Sequence, residues 1–382
     1  MTEMPIFLEF CEARRDWLLE TIEALVRLES PSTDKAAVDR CGRDLARRLA
    51  ALGARVTTIP NPAAGDHLRA ELGEGDRQVL LLAHFDTVWP VGQLERMPLK
   101  RENGRLYGPG TFDMKAGLSI GMLAMRTLFE SGRPPAGRVA LLCTTDEEVG
   151  SHTSRAIIEK EARRSEAVLV LEPSLPGGAV KTSRKGCGQF EILVRGVSAH
   201  AGIEPGRGAS AVHELAHQIV AIERLQDVDR GVSVNATVIA GGDRTNVIPE
   251  RATAVVDVRV PTMDDAERLE TAFRGLTPRL SGTSVEVTGG LNRPPLERGE
   301  GVARLYGWAR EVAGQLGHDL AEGGTGGGSD GNFTAALGVP TLDGLGAIGQ
   351  GAHALHEHVE IDSLPWKAAL VAGLMTRILV PR

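Results

Sequence analysis

Residues suited to binding a metal recur along this chain in short clusters. The segment AHFDTV sets His84 and Asp86 two apart, GPGTFDMKAG carries Asp113, CTTDEEVGS carries Asp146, Glu147 and Glu148 in succession, and LEPS carries Glu172. Adjacent carboxylates repel, so three in a row after an apolar run call for a counter-charge. Imidazole and carboxylate together form a ligand set that zinc accepts. In extended backbone, residues two apart face the same side, which puts Asp86 behind His84 to accept its second ring N–H. Taken singly, each has an ordinary structural reading: a His-x-Asp pair, a helix-capping aspartate, a solvated acidic turn, an exposed glutamate before Pro173.

The elements that must position these groups are legible as pattern. VLLLA (79–83), VALLC (139–143) and AVLVL (167–171) are short continuous apolar runs, and AGLSIGMLAMRTLFE between the first two reads as a helix. RRDWLLETIEALVRL (14–28) spaces Trp17, Leu18, Ile22, Leu25 and Val26 as an amphipathic helix. Apolar strands alternating with helices predict an α/β fold, a largely parallel sheet covered on both faces. Such sheets bind ligands beyond the carboxyl ends of their strands, where His84, the Glu147–Glu148 pair and Glu172 fall.

A middle block reads differently. GQFEILVRGV, VSVNATVIAG and ATAVVDVRV alternate apolar and polar residues, with helical stretches near 209–225 and 264–275. This is the pattern of a sheet with one solvated face, and it predicts an inserted α+β domain at 184–291 between flanking α/β segments 1–183 and 292–382. At 382 residues the chain is long for one core, which agrees with two domains.

Composition excludes several classes. Fifty acids against 43 bases give a formal charge of −7 with no strong basic run, so nucleic acid is not an expected partner. No stretch approaches eighteen apolar residues, so no membrane span is expected. Cys11, Cys41, Cys143 and Cys187 lack C-x-x-C spacing and read as reduced, buried thiols of a cytoplasmic protein. GGTGGGSDGN lacks the Lys-Ser/Thr ending of a phosphate loop and reads as a tight loop.

Seven segments, AHFDTVWP, GPGTFDMKAG, DEEVGS, LEP, SAHAG, NVIPERATAVVDVR and GAHALHEHVEIDSLP, occur in that order over about residues 80 to 365. As a set they resemble the M20 family of zinc peptidases, most nearly its glutamate carboxypeptidase (carboxypeptidase G2-like) branch. The resemblance implies two Zn²⁺ ions per subunit bridged by Asp113, with His84 and Glu172 completing one site, and Glu148 and His353 the other. Three carboxylates and a bridging hydroxide would balance two such ions, and Mn²⁺ or Co²⁺ suits similar ligands. Glu147 becomes the general base and acid, which answers why two glutamates stand side by side. HALHEHV offers three histidines, and the following acidic pattern selects His353 over His356 and His358, whose roles stay open. The middle block resembles a lid or dimerisation domain, which implies a homodimer with His200 and Asn246 as donors to the oxyanion. Arg293 matches an arginine gripping the substrate's free C-terminal carboxylate, and Lys181 and Ser183 match contacts to its side chain. The expected activity is hydrolysis of the amide bond to a C-terminal amino acid, glutamate first. The alternatives are an N-acyl amino acid deacylase or dipeptidase with another side-chain preference, and a non-enzymatic binding protein.

Overall fold

Alternate residues of the run 79–83 enter different cores. Val79, Leu81 and Ala83 join one apolar cluster while Leu80 and Leu82 join another, so a strand apolar on both sides must lie inside a sheet covered on both faces. The computed structural model describes residues 4–132 and 135–380 and divides the chain into two units. The first comprises residues up to Ser183, Arg298–Gly324 and Ser329 onward; the second comprises Arg184–Glu297 with Thr325–Gly328.

The first unit is built on a six-stranded sheet ordered Arg55–Ile59, His67–Leu72, Arg138–Thr144, Gln78–His84, Ala167–Val170, Thr341–Leu342. The last four are mutually parallel, and His67–Leu72 alone runs against them. Helices Ala116–Glu130 and Leu364–Leu379, buried over most of their surface, pack on one face. Arg155–Ala162 and Gly331–Ala336 supply Ile158, Ala162 and Phe333 to the other. Gly117 and Gly121 let the first helix close on the sheet, since a Cβ on Gly117 would lie 1.9 Å from the Leu171 carbonyl oxygen. The result sets the carboxyl ends of Gln78–His84, Arg138–Thr144 and Ala167–Val170 side by side, with His84 paired in register to Thr144.

The second unit is a four-stranded antiparallel sheet ordered Ser233–Gly241, Arg251–Val260, Gly186–Arg195, Ser284–Arg293. Its inward residues Phe190, Ile192, Val194, Val256 and Val258 pack under helices Ala211–Glu223 and Met263–Arg274, with Phe190 and Phe273 stacked at 4.1 Å. Ser210 and Thr262 cap those helices by accepting the His213 and Asp265 N–H groups. Ser233–Gly241 is an edge strand on which Val238 and Ile239 are more than half exposed.

Residues 326–330 of the glycine-rich segment form the loop expected of it, while its first three residues belong to the short strand Glu322–Thr325 and its last two open helix Gly331–Ala336. A Cβ on Gly324 would lie 2.4 Å from Ser183 Oγ, so a larger residue there would turn the Ser183 hydroxyl away.

Candidate metal centre

His84 ends its strand inside the protein, 1% exposed. Its Nδ1 lies 3.1 Å from the Asp86 carbonyl oxygen and 3.4 Å from Asp86 Oδ1. Both are acceptors, so Nδ1 carries a proton and Nε2 is the ring atom left to face a cation. Nε2 points to Asp113 Oδ1 at 3.3 Å and Glu172 Oε1 at 3.5 Å. Asp86 is fully buried, and its Oδ2 accepts from Ser32 Oγ at 2.7 Å and from the Glu148 N–H at 3.3 Å.

Asp113 occupies the turn Thr111–Lys115 that opens helix Ala116–Glu130. Its backbone is extended (φ −114°, ψ 94°), the Asp113–Met114 peptide is cis, and Gly110 ahead of it is left-handed (φ +70°). Asp113 belongs to two trios: Oδ1 faces His84, and Oδ2 lies 3.6 Å from His353 Nε2. His353 Nε2 in turn stands 3.1 Å from Glu148 Oε2. In each trio, His84–Asp113–Glu172 and Asp113–Glu148–His353, the three candidate ligand atoms lie within 4.8 Å of one another. His353 itself takes a left-handed conformation (φ +59°) that is rare for a non-glycine residue.

The donor set fits a pair of cations. His84 Nε2 and Asp113 Oδ1 are buried with no hydrogen-bond partner, although they face one another at 3.3 Å. Buried polar atoms are ordinarily satisfied, and a cation would satisfy both. The protonation pattern tells the same story. Burial disfavours charge on His84, yet Asp113, Asp86 and Glu172 outweigh it and hold the imidazole well above its ordinary pKa. The carboxylate of Glu148 raises His353 to about 9 against the opposing effect of burial. A cluster so rich in carboxylates takes up protons when no other cation is at hand.

Two residues central to this geometry have roles that the sequence does not show. Asp146, first of the three adjacent acids, is buried and binds no candidate ligand. Its Oδ2 accepts from the Thr153 N–H (2.7 Å), Thr153 Oγ1 (2.6 Å) and the Ser154 N–H (3.3 Å), which fixes the turn Glu147–Val149. Burial works against that charge, but these donors outweigh it and hold the carboxyl below its usual range. Glu357, four residues past His353, is 1% exposed and accepts from the backbone N–H groups of Gly110, Phe112 and Asp113. Burial pushes its carboxyl up to about 7.

Glu147 is half-buried beside Glu148. His356 and His358 join neither trio; His358 is buried with its ring 5.0 Å from Tyr107, and His356 lines a cavity of about 300 Å³ with Arg96 and Tyr107. Lys181 and Ser183 share the strand Val180–Arg184, where the Lys181 N–H donates to the Asp343 carbonyl at 2.8 Å.

The other expected site residues belong to the second unit. His200 is exposed, and its Nδ1 accepts the N–H groups of Gly202 and Ile203, both at 3.1 Å, so Nε2 carries the proton. Asn246 lies across a two-residue ladder from it, its carbonyl accepting the Ala201 N–H at 2.9 Å. Arg293 is 4% exposed at the end of Ser284–Arg293, where a Cβ on Gly328 would come within 2.9 Å of its Cδ.

A family profile, Peptidase family M20/M25/M40, matches residues 80–377, which hold every member of both trios. The chain belongs to this family. It is therefore a hydrolase of the metallopeptidase and amidohydrolase kind. It is 30% identical over 369 residues to carboxypeptidase G2 of Pseudomonas sp. (strain RS-16), covering 94% of this chain and 88% of that one. It is 29% identical over 383 residues to a succinyl-diaminopimelate desuccinylase of Alkalilimnicola ehrlichii, covering 94% of this chain and 99% of that one. Among solved structures, aminopeptidase PepT of Bacillus cereus superposes with a TM-score of 0.78 at 22% identity, covering 95% of this chain and 98% of that one. The YXEP protein of Bacillus subtilis, described as a dinuclear metal binding peptidase of family M20, gives 0.70 at 16%, covering 96% and 99%. At these identities the two structures speak for the fold, which is the M20 peptidase fold.

Proposed function

We propose that the protein is a dizinc hydrolase that cleaves the amide bond joining an acyl group to a C-terminal amino acid, with glutamate as the preferred residue. The reading is carried by one observation: two ligand trios share Asp113, and the buried His84 Nε2 and Asp113 Oδ1 at their junction have no hydrogen-bond partner. His84, Asp113 and Glu172 would hold one ion, and Asp113, Glu148 and His353 the other. Bound zinc supplies a Lewis acid that polarises a carbonyl and acidifies water.

The chain's own groups do the rest. Asp86 holds the proton on His84 Nδ1 and so keeps Nε2 a ligand. Glu147 takes a proton from the attacking water and gives it to the leaving amine nitrogen. His200 donates through Nε2–H to the oxyanion, assisted by Asn246. Arg293 grips the free carboxylate of the substrate, and Lys181 and Ser183 meet its side chain. A homodimer accords with the edge strand Ser233–Gly241 and its exposed Val238 and Ile239. A cytoplasmic location accords with four scattered cysteines that lack C-x-x-C spacing. Among the described residues no helix is long and apolar enough to cross a membrane.

A second reading, an N-acyl amino acid deacylase, is favoured by the likeness to desuccinylases over nearly their whole length. One panel separates the two. Amino-acid release is measured from N-benzoyl derivatives of Glu, Asp, Ala, Leu and Arg, and from N-succinyl-diaminopimelate. Release strongest from the glutamate compound supports the carboxypeptidase reading, whereas release strongest from the succinyl compound, or from Ala or Leu, overturns it in favour of the second.

A further inference from the structure

Every acceptor position of the Glu357 carboxylate is occupied. Oε1 accepts the N–H groups of Phe112 at 2.9 Å and Asp113 at 3.1 Å. Oε2 accepts the N–H of Gly110 at 3.0 Å and the indole Nε1–H of Trp89 at 2.8 Å. A carboxylate offers about four lone-pair sites, so nothing is left over for a metal. The backbone repeats the tie, since the Gly108 N–H donates to the Glu357 carbonyl at 3.3 Å.

These four bonds join three segments that each carry a candidate ligand. Trp89 follows His84 by five residues, the 110–113 turn carries Asp113, and Glu357 follows His353 by four. Within the single wide turn Thr111–Lys115, closed by the Lys115 N–H donating to the Gly110 carbonyl at 3.0 Å, Asp113 and Met114 leave helical backbone angles, so the Phe112 and Asp113 N–H groups turn to the Glu357 carboxylate instead. Left alone in a buried place they would draw the turn toward another conformation, and the shared carboxylate of Asp113 would move with it. A charged acceptor gives short, strong bonds and fixes all three N–H groups at once.

We propose that Glu357 is a positioning residue that locks the Asp113 turn in its ligand-presenting form before any metal arrives. The proposal rests on the dinuclear reading of the site. It also explains why an acid stands among three histidines in HALHEHV without joining either trio.

The test uses the full-length protein, stripped of metal, as wild type, Glu357→Gln and Trp89→Phe. Glutamine keeps the volume but offers one oxygen, and its NH₂ turns a donor toward donors, so two of the four bonds are lost. Zinc affinity and stoichiometry are read by chelator competition, and exchange of the amides in 108–115 by mass spectrometry in the metal-free state. The expected result is two ions per wild-type chain, with affinity for at least one ion about 10–100-fold lower in Glu357→Gln. In that variant the amides lose protection and kcat falls while KM stays near the wild-type value. Trp89→Phe removes one of the four bonds and leaves the three turn N–H groups accepted, so its losses of affinity and protection are smaller than those of Glu357→Gln. Wild-type affinity and amide protection in Glu357→Gln would overturn the proposal alone. A wild type that takes up no zinc overturns the dinuclear reading, and this proposal with it. Should Glu357→Gln fail to fold, the metal-free wild type decides: protected amides uphold a preformed turn, and freely exchanging amides reject it.

Discussion

His353 Nε2 lies 3.1 Å from Glu148 Oε2, two side chains brought together across 205 residues of chain. The pair is open to solvent on one side, because the His353 side chain is 51% exposed whereas that of His84 is 2% exposed. The two trios sharing Asp113 are therefore unequal, one buried and one accessible.

That inequality sets the order of metal loss. A chelator is expected to remove the two ions in two phases, the faster from the trio of Asp113, Glu148 and His353. His353→Ala should abolish the fast phase and keep the slow one, while Asp113→Asn should lose both ions. Metal content followed against time in chelator checks this, and a single phase in the wild type would argue for equivalent sites.

Glu147 is expected to separate metal binding from turnover. Glu147→Gln should bind both ions with unchanged affinity and lose about 10²–10⁴-fold in kcat, the usual range for a lost general acid–base group. Glu148→Gln should instead lose metal. Metal counting beside steady-state kinetics distinguishes the two neighbours.

Lys367 gives the stability a pH dependence unrelated to the metals. It is fully buried on the last helix, its Nζ donating to Ser174 Oγ at 2.8 Å and the Gly344 carbonyl at 3.3 Å. Burial, then the charge of Lys181, lowers its pKa from 10.5 to about 7. Between about 7 and 10.5 the unfolded chain holds the proton and the folded chain does not, so this group makes stability rise with pH across that window. The slope is at most ~1.4 kcal/mol per pH unit. Lys367→Met should flatten the profile, its stability relative to wild type being most favourable near pH 7 and falling toward pH 10. Chemical denaturation at several pH values reads this, and parallel profiles for the two proteins would contradict it.

The thiols should prove unequal as well. Cys11, Cys41 and Cys143 are fully buried, and burial raises the pKa of each, to about 12 for Cys11. Cys187 is half-buried. A thiol reagent added to the native protein is expected to label one cysteine per chain, at position 187, and all four after denaturation. Mass mapping of the labelled residue checks it.

How much of this the sequence carried varies from residue to residue. The strands bearing His84 and Glu172 announce themselves, because a run buried on both faces is apolar at every position and then stops at the ligand. The antiparallel pair Arg55–Ile59 and His67–Leu72 does not, since its strands are short and carry arginine and glutamate. Asp146 and Glu357 are invisible for a different reason. Each works by accepting backbone N–H groups, and those of Glu357 lie some 245 residues away, so neither periodicity nor residue type betrays the bond. Whether Asp113 could face both histidines was equally beyond the sequence, for it depends on the backbone of a turn that fits no regular pattern.

The central claim is that this cluster is a two-metal hydrolytic centre, and a zinc titration of the stripped enzyme tests it most directly. Hydrolysis of N-benzoyl-glutamate is followed as zinc is added to metal-free protein. The account predicts negligible release without metal, rising to a plateau at two ions per chain, and release about 10²–10⁴-fold slower from Glu147→Gln at the same zinc occupancy. Undiminished hydrolysis by protein shown to be free of metal would contradict it.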